Sequence, residues 1–158
     1  MTREDFITHV ERSQKAFRRF LLALCLGDAS LADDIAQDSY VKAYLSCDGF
    51  SNADKFEAWI FKIGYNTFLN HKRCLHPFSE MEEARHVAAE DSSDSRFQYQ
   101  ELYSALEQLT PKERSAILLF YMQGYSIKEI AETTDASESS VRQQLTRGRI
   151  HLRGLLTN

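Results

Sequence analysis

The stretch SIKEIAETTDASESSVRQQLTRGR, Ser126 to Arg149, reads as two short helices joined by a tight turn, with basic side chains on the second. Ser126-x-x-Glu129 has capping-box spacing: the hydroxyl accepts from an orphan amide and the carboxylate reaches back to the cap. The helix that starts there carries Ile127, Ile130 and Ala131 on one face. Ala131 is small where a second helix has to cross closely, and Asp135 falls in the turn, where Asp tolerates left-handed geometry better than most residues. Ser137 is a natural cap for the next helix. At about 100° per residue, Val141, Leu145, Leu152 and Leu156 share one stripe, and Arg142, Thr146, Arg149 and Arg153 share a neighbouring one. The first stripe suits packing; the second suits phosphates or base edges. A helix-turn-helix that reads duplex DNA is the favoured reading, and an ordinary amphipathic helix with a solvated arginine face is its alternative.

Outward from that element, composition narrows the class. The 158 residues are 43% apolar and 27% charged, which fits a soluble globular protein of one domain or two small helical ones. No apolar run reaches the length of a membrane span, and MTREDFITHV lacks the segments of a signal peptide, so the expected location is cytoplasmic. Cys25, Cys47 and Cys74 are odd in number and without a CxxC, which argues for reduced structural thiols. His71, Cys74 and His76 lie close together but match no strong metal motif, and no metal or other cofactor is expected.

The net charge of -4 is unevenly spread. Residues 1–73 hold 10 basic and 10 acidic side chains, 74–109 hold 2 and 8, and 110–158 hold 7 and 5. The C-terminal segment is only mildly basic, little for a protein that must hold DNA unaided through its phosphates. A partner that supplies most of the DNA affinity resolves the mismatch.

In chain order, Thr2-x-x-Asp5 caps a first helix with Phe6, Val10, Phe17, Leu21 and Leu24 at mostly helical spacing, running to Leu26 and ending at Gly27-Asp28. Ser30-x-x-Asp33 restarts a helix to about Leu45, with Leu31, Ile35, Tyr40, Val41, Tyr44 and Leu45 as expected buried positions. Asp33, Asp34, Gln37 and Asp38 line its other side, a polar face suited to a basic partner. Asp34 and Asp38 are one turn apart, but no His or further Glu on the helix completes a metal or acid-base site. Residues 46–54, SCDGFSNAD, read as a loop with Phe50 at its middle. A third helix follows from Lys55, apolar at Phe56, Trp59, Ile60, Ile63 and Phe68, and polar at Lys62, Asn66, Asn70, Lys72 and Arg73. Trp59, Phe61 and Tyr65 fit a core, although aromatics beside Lys, Arg and Asn are also the ingredients for holding single-stranded nucleic acid.

The run HPFSEMEEARHVAAEDSSDS reads as an acidic linker, with six acids against Arg85. The second unit opens near Phe97, and Thr110-Pro111-x-Glu113 combines a cap, Pro at the first helical position and a capping-box Glu. Gly124 ends that helix, and the helix-turn-helix follows. The expected fold is all-α: two small helical domains, 1–74 and 97–158, joined by an acidic linker at 75–96, the C-terminal one containing the helix-turn-helix.

Together these segments resemble the extracytoplasmic-function group of bacterial RNA polymerase sigma factors. GDASLADDIAQDSYVKAY looks like the family's G-D-x-x-x-A-x-D-x-x-Q-(D/E)-x-(F/Y) pattern, and Phe56, Ala58, Trp59, Ile60, Ile63 and Asn66 fit F-x-A-W-(I/L)-x-x-I-x-x-N. LEQLTPKERSAILLFYMQGYSIKEIA with SSVRQQLTRGRIHLR is similar to the family's C-terminal pattern, so the likeness covers nearly the whole chain. The resemblance implies a promoter-specificity subunit, not an enzyme, with no small-molecule substrate. It implies that Asp34, Gln37 and Asp38 dock on core RNA polymerase at the β′ clamp helices, with the β flap as a second contact. Phe50, Lys62, Asn66, Lys72 and Arg73 would take the melted minus-ten strand, and Ser139, Ser140, Arg142, Gln143, Thr146, Arg147 and Arg149 the minus-thirty-five duplex. An anti-sigma factor is the further implied partner. Asp135 and Gln144 depart from the commoner Gly and basic residue, and Gly64 from the usual Ala. Two other functions compete: a stand-alone helix-turn-helix regulator, and a metal-dependent enzyme built on Asp33, Asp34 and Asp38.

Overall fold

The computed structural model describes residues 1–50, 55–75 and 93–156, and leaves the side chains of residues 72–99 and 156 undescribed. Among the described residues every regular element is helical: α1 (Arg3–Leu24), α2 (Ala29–Ser46), a 3₁₀ turn (Cys47–Gly49), α3 (Phe56–Leu75), α4 (Ser93–Glu107), α5 (Pro111–Tyr121), α6 (Ile127–Thr134) and α7 (Glu138–Leu156). Most of the expected linker, 76–92, lies outside the described residues.

The helix starts follow the capping chemistry closely. Thr2 accepts the Asp5 amide at 3.2 Å. Thr110 and Glu113 close a reciprocal box, each bond 3.2 Å, with Pro111 at the first helical position. One start differs from the sequence expectation. Asp28, not Ser30, caps α2, its Oδ1 accepting from the Leu31 amide at 3.1 Å. Asp and Ser cap about equally well, and Asp28 comes first as the chain leaves the preceding turn. That turn begins early: α1 stops at Leu24, and Leu26 and Gly27 both take positive φ, 59° and 86°.

The first three helices pack around Phe17, Phe20, Leu21, Leu24, Ile35, Ile60 and Phe61, all fully buried. Phe61 stacks on Phe20 with ring centres 5.1 Å apart and lies tilted against Phe17 at 5.4 Å, so α1 and α3 meet through aromatic rings. Gly64 sits at that crossing: a Cβ there would collide with the Phe17 ring. Its absent side chain is what lets the aromatic fill the gap, which sequence alone left as an unexplained helix-weakening residue. The last four helices bury Leu106, Leu109, Leu119, Ile130, Val141 and Leu145. Both sets join one apolar cluster, because α5 packs on α1 and α6 packs on α3.

Three expected core positions are on the surface instead. Val41, Tyr44 and Leu45 of α2 are 58%, 43% and 76% exposed. The face of α2 that packs inward carries Ala32, Ile35, Ser39 and Ala43. Those small residues let neighbouring helices approach closely, and Val41 and Leu45 point away from them.

Candidate promoter and polymerase interfaces

The helix-turn-helix forms as its local chemistry dictates. Ser126 accepts the Glu129 amide at 3.1 Å, and Glu129 Oε1 accepts the Ser126 amide at 3.0 Å. α6 closes on Asp135 in the left-handed region, φ 53° and ψ 42°. Ser137 Oγ accepts the Ser140 amide at 3.1 Å and opens α7. Val141 and Leu145 are buried against the rest of the group. Ser139, Arg142, Gln143, Thr146 and Arg147 are exposed, and Ser140 is half-buried beside the cap. Arg149 is placed differently from the other arginines: its Nε donates to the Tyr121 hydroxyl at 2.7 Å, and its guanidinium lies over the Phe120 and Tyr121 rings at 5.3 and 5.6 Å. A cation held on two aromatic faces is stiffened in one orientation.

On α2, Asp34, Gln37 and Asp38 are exposed. With Val41 and Leu45 they fall at i, i+3, i+4, i+7 and i+11, one continuous stripe of the helix. Sequence reasoning missed the apolar half of this stripe. Periodicity could not separate it, because α2 has apolar residues on both faces. Asp38 is positioned by α3: His71 Nε2 lies 2.8 Å from Asp38 Oδ2, the ring nitrogen donating.

On α3, Lys62 is half-buried and Asn66, one turn on, is exposed. Phe50 stacks on Trp59 with ring centres 4.3 Å apart and planes 6° from parallel. The Phe50 carbonyl accepts from the N-terminal amine at 3.4 Å. Phe61 and Tyr65 are core residues, so Phe50 and Trp59 are the aromatic pair at this end of the helix. Burial pushes the Tyr65 phenol up, and a hydrogen bond with Ser115 offsets part of that. The side chains of Lys72 and Arg73 and residues 51–54 lie outside the described residues. Lys62 Nζ is 2.9 Å from Asp135 Oδ1, in the turn of the helix-turn-helix. Among the described residues no three His, Cys, Asp or Glu side chains are grouped to hold a metal ion.

Two family models match in order along the chain: sigma-70 region 2 over residues 9–76 and sigma-70 region 4 over residues 99–152. The chain belongs to the sigma-70 family, in its ECF group. It is 25% identical to the ECF RNA polymerase sigma factor EcfG of Rhodopseudomonas palustris over 98% of this chain and 84% of that one. Among solved structures it is similar to the sigma factor RpoE in complex with the anti-sigma factor NepR from Bartonella quintana. That likeness has a TM-score of 0.80 and 25% identity over 98% of both chains. CnrH in complex with the cytosolic domain of CnrY gives 0.72 and 27%, over 96% of this chain and 87% of that one. The protein is therefore an ECF sigma factor, a DNA-binding transcription initiation factor. Among the described residues no helix is long and apolar enough to cross a membrane.

Proposed function

We propose that this sigma factor divides its task among three helices. The exposed stripe of α2 docks on core RNA polymerase at the β′ clamp helices, with Asp34, Gln37 and Asp38 as polar contacts and Val41 and Leu45 as the apolar part. Acids alone on a surface bind weakly, and apolar area beside them supplies the desolvated centre that a stable contact needs. Phe50, Lys62, Asn66, Lys72 and Arg73 take the melted minus-ten strand, Phe50 or Trp59 offering a ring face to an unstacked base. Ser139, Ser140, Arg142, Gln143, Thr146 and Arg147 of α7 read and grip the minus-thirty-five duplex. Arg149, held by Tyr121, contributes a fixed charge at its margin. On this reading residues 1–74 and 97–158 are the two working domains, 75–96 the acidic connection, and the second domain also meets the β flap.

The observation that carries the reading is the helix-turn-helix itself, with Val141 and Leu145 buried and Arg142, Gln143, Thr146 and Arg147 turned outward. The protein works in the cytoplasm, performs no chemistry of its own and needs no cofactor. One similar solved structure is a sigma factor in complex with an anti-sigma factor, which supports an anti-sigma factor as the regulator here. The test is to mix the chain with core polymerase and promoter fragments. A specific complex and run-off transcripts are expected; a chain that binds DNA as a dimer and ignores polymerase would instead be a stand-alone regulator.

A further inference from the structure

Asp38 and Lys42 stand four residues apart on α2, acid first, both exposed. On an isolated helix that spacing and order bring the two charges together as an ion pair. In this molecule each turns to α3 instead. Asp38 Oδ2 accepts from His71 Nε2 at 2.8 Å, and Lys42 Nζ donates to the Thr67 hydroxyl at 3.2 Å. Thr67 and His71 are also four residues apart, so the two bonds are successive rungs between the helices, one turn apart on each.

Both rungs leave bonding capacity for a partner. Thr67 is buried, and its hydroxyl spends its own proton on the Ile63 carbonyl at 2.7 Å, so it offers Lys42 only lone pairs. An ammonium carries three N–H groups and uses one of them there. His71 is half-buried, and because a carboxylate only accepts, the proton of its bond sits on Nε2. That single N–H occupies Oδ2 of Asp38, which leaves the lone pairs of Oδ1 for another donor. Lys42 lies about 40° round the helix from Asp38, at the edge of the exposed stripe that holds Asp34, Gln37, Val41 and Leu45. The stripe therefore shows an acid and a base side by side, neither neutralised by the other.

We propose that Lys42 is a further docking residue, meeting an acidic group of core polymerase beside the basic group met by Asp38, and that Thr67 and His71 are positioning residues that hold the two charges apart. The proposal rests on the reading of the α2 stripe as the polymerase contact. An acid and a base closed on one another would have to separate at every encounter. With α3 holding each, both side chains are ordered and available beforehand, which removes that cost from binding. The mixed signs also select the partner: a uniformly basic surface that would accept Asp34 and Asp38 meets repulsion from Lys42.

Competition against labelled wild-type chain for core polymerase at ~0.1 M salt reads the affinity of each variant, and circular dichroism confirms that its helices remain. Lys42→Met should weaken binding about two- to fivefold, the range of an exposed ion pair. Affinity equal to wild type, or tighter because Lys42 merely masks Asp38, overturns the proposal. His71→Phe keeps a ring and removes the donor, and should weaken binding about two- to tenfold, the cost of ordering a freed side chain. His71→Gln retains an N–H of similar reach and should return to wild type. Added to Asp38→Ala, His71→Phe should change affinity by less than about twofold, since it acts through that carboxylate. Wild-type affinity in His71→Phe, no rescue by His71→Gln, or an undiminished further loss on top of Asp38→Ala overturns the positioning role. Asp34→Ala with Gln37→Ala separates the two readings. If that pair also binds as wild type, the docking stripe itself fails; if it weakens binding while Lys42→Met and His71→Phe do not, only the roles of Lys42 and His71 fail.

Discussion

Arg114 is a buried arginine that bonds three backbone carbonyls from two helical groups. Burial pulls its guanidinium down from the ordinary arginine value, yet three backbone carbonyls repay the desolvation. Arg114→Leu leaves those acceptors buried without their donor and should cost about 3 kcal/mol or more in urea unfolding; a loss under about 1 kcal/mol would mean that water replaces the guanidinium. Sequence gave no sign of this, since an arginine on an amphipathic helix usually faces solvent. Tyrosines make a second prediction at this scale. Burial raises Tyr40, Tyr65 and Tyr125 above the ordinary 10.0, and the nearby carboxylates Glu57 and Glu129 raise Tyr125 further. A phenol raised on folding contributes stability that is whole below its unfolded value and lost as pH climbs toward its folded one. Stability should therefore fall above pH ~10, with a slope of up to about 1.4 kcal/mol per pH unit for each such group. Tyr125→Phe should flatten that slope in denaturant titrations at pH 9 to 11, and an unaltered slope would remove Tyr125 from the account.

Among the elements, the inward face of the C-terminal half of α2 was misread and α6 was not, for one physical reason. α6 is announced by side chains that bond to their own backbone, Ser126 and Glu129, and local chemistry of that kind is visible in sequence. Which face of α2 packs inward is decided by distant helices, and Ala32, Ser39 and Ala43 outcompeted Val41 and Leu45 because small residues fit the close approach. The exposed pair makes a prediction: Val41→Ser with Leu45→Ser should leave stability within about 0.5 kcal/mol, as exposed substitutions do. The same pair should weaken core-polymerase binding about tenfold, measured by competition with wild type. Equal affinity would take the apolar half away from the docking face. The α1–α3 crossing offers an independent check. Gly64→Ala gains helix propensity of about 1 kcal/mol but has to displace the Phe17 ring, a cost of about 1 to 3 kcal/mol. A net loss of stability is expected, and a stabilised variant would show that the crossing relaxes freely.

At the scale of the whole molecule, the two helical groups and the helix-turn-helix were legible because capping motifs and apolar stripes are local. The packing of one group on the other was not. Lys62 meets Asp135, and Leu24 meets Arg114, across sequence separations that no periodicity encodes. The chain's net charge of -4 leaves few basic side chains to neutralise phosphates. Arg142→Ala with Arg147→Ala should accordingly abolish minus-thirty-five recognition while core binding survives, each lost base contact being worth about 1 to 3 kcal/mol.

The most direct test of the account is promoter selection from a randomised duplex library by core polymerase carrying this chain. Two conserved blocks are predicted, a duplex block upstream and a melted block near the start site, separated by a spacer of fixed length. The upstream block should vanish with Arg142→Ala and Arg147→Ala. A single palindromic block, selected equally well without polymerase, would contradict the account.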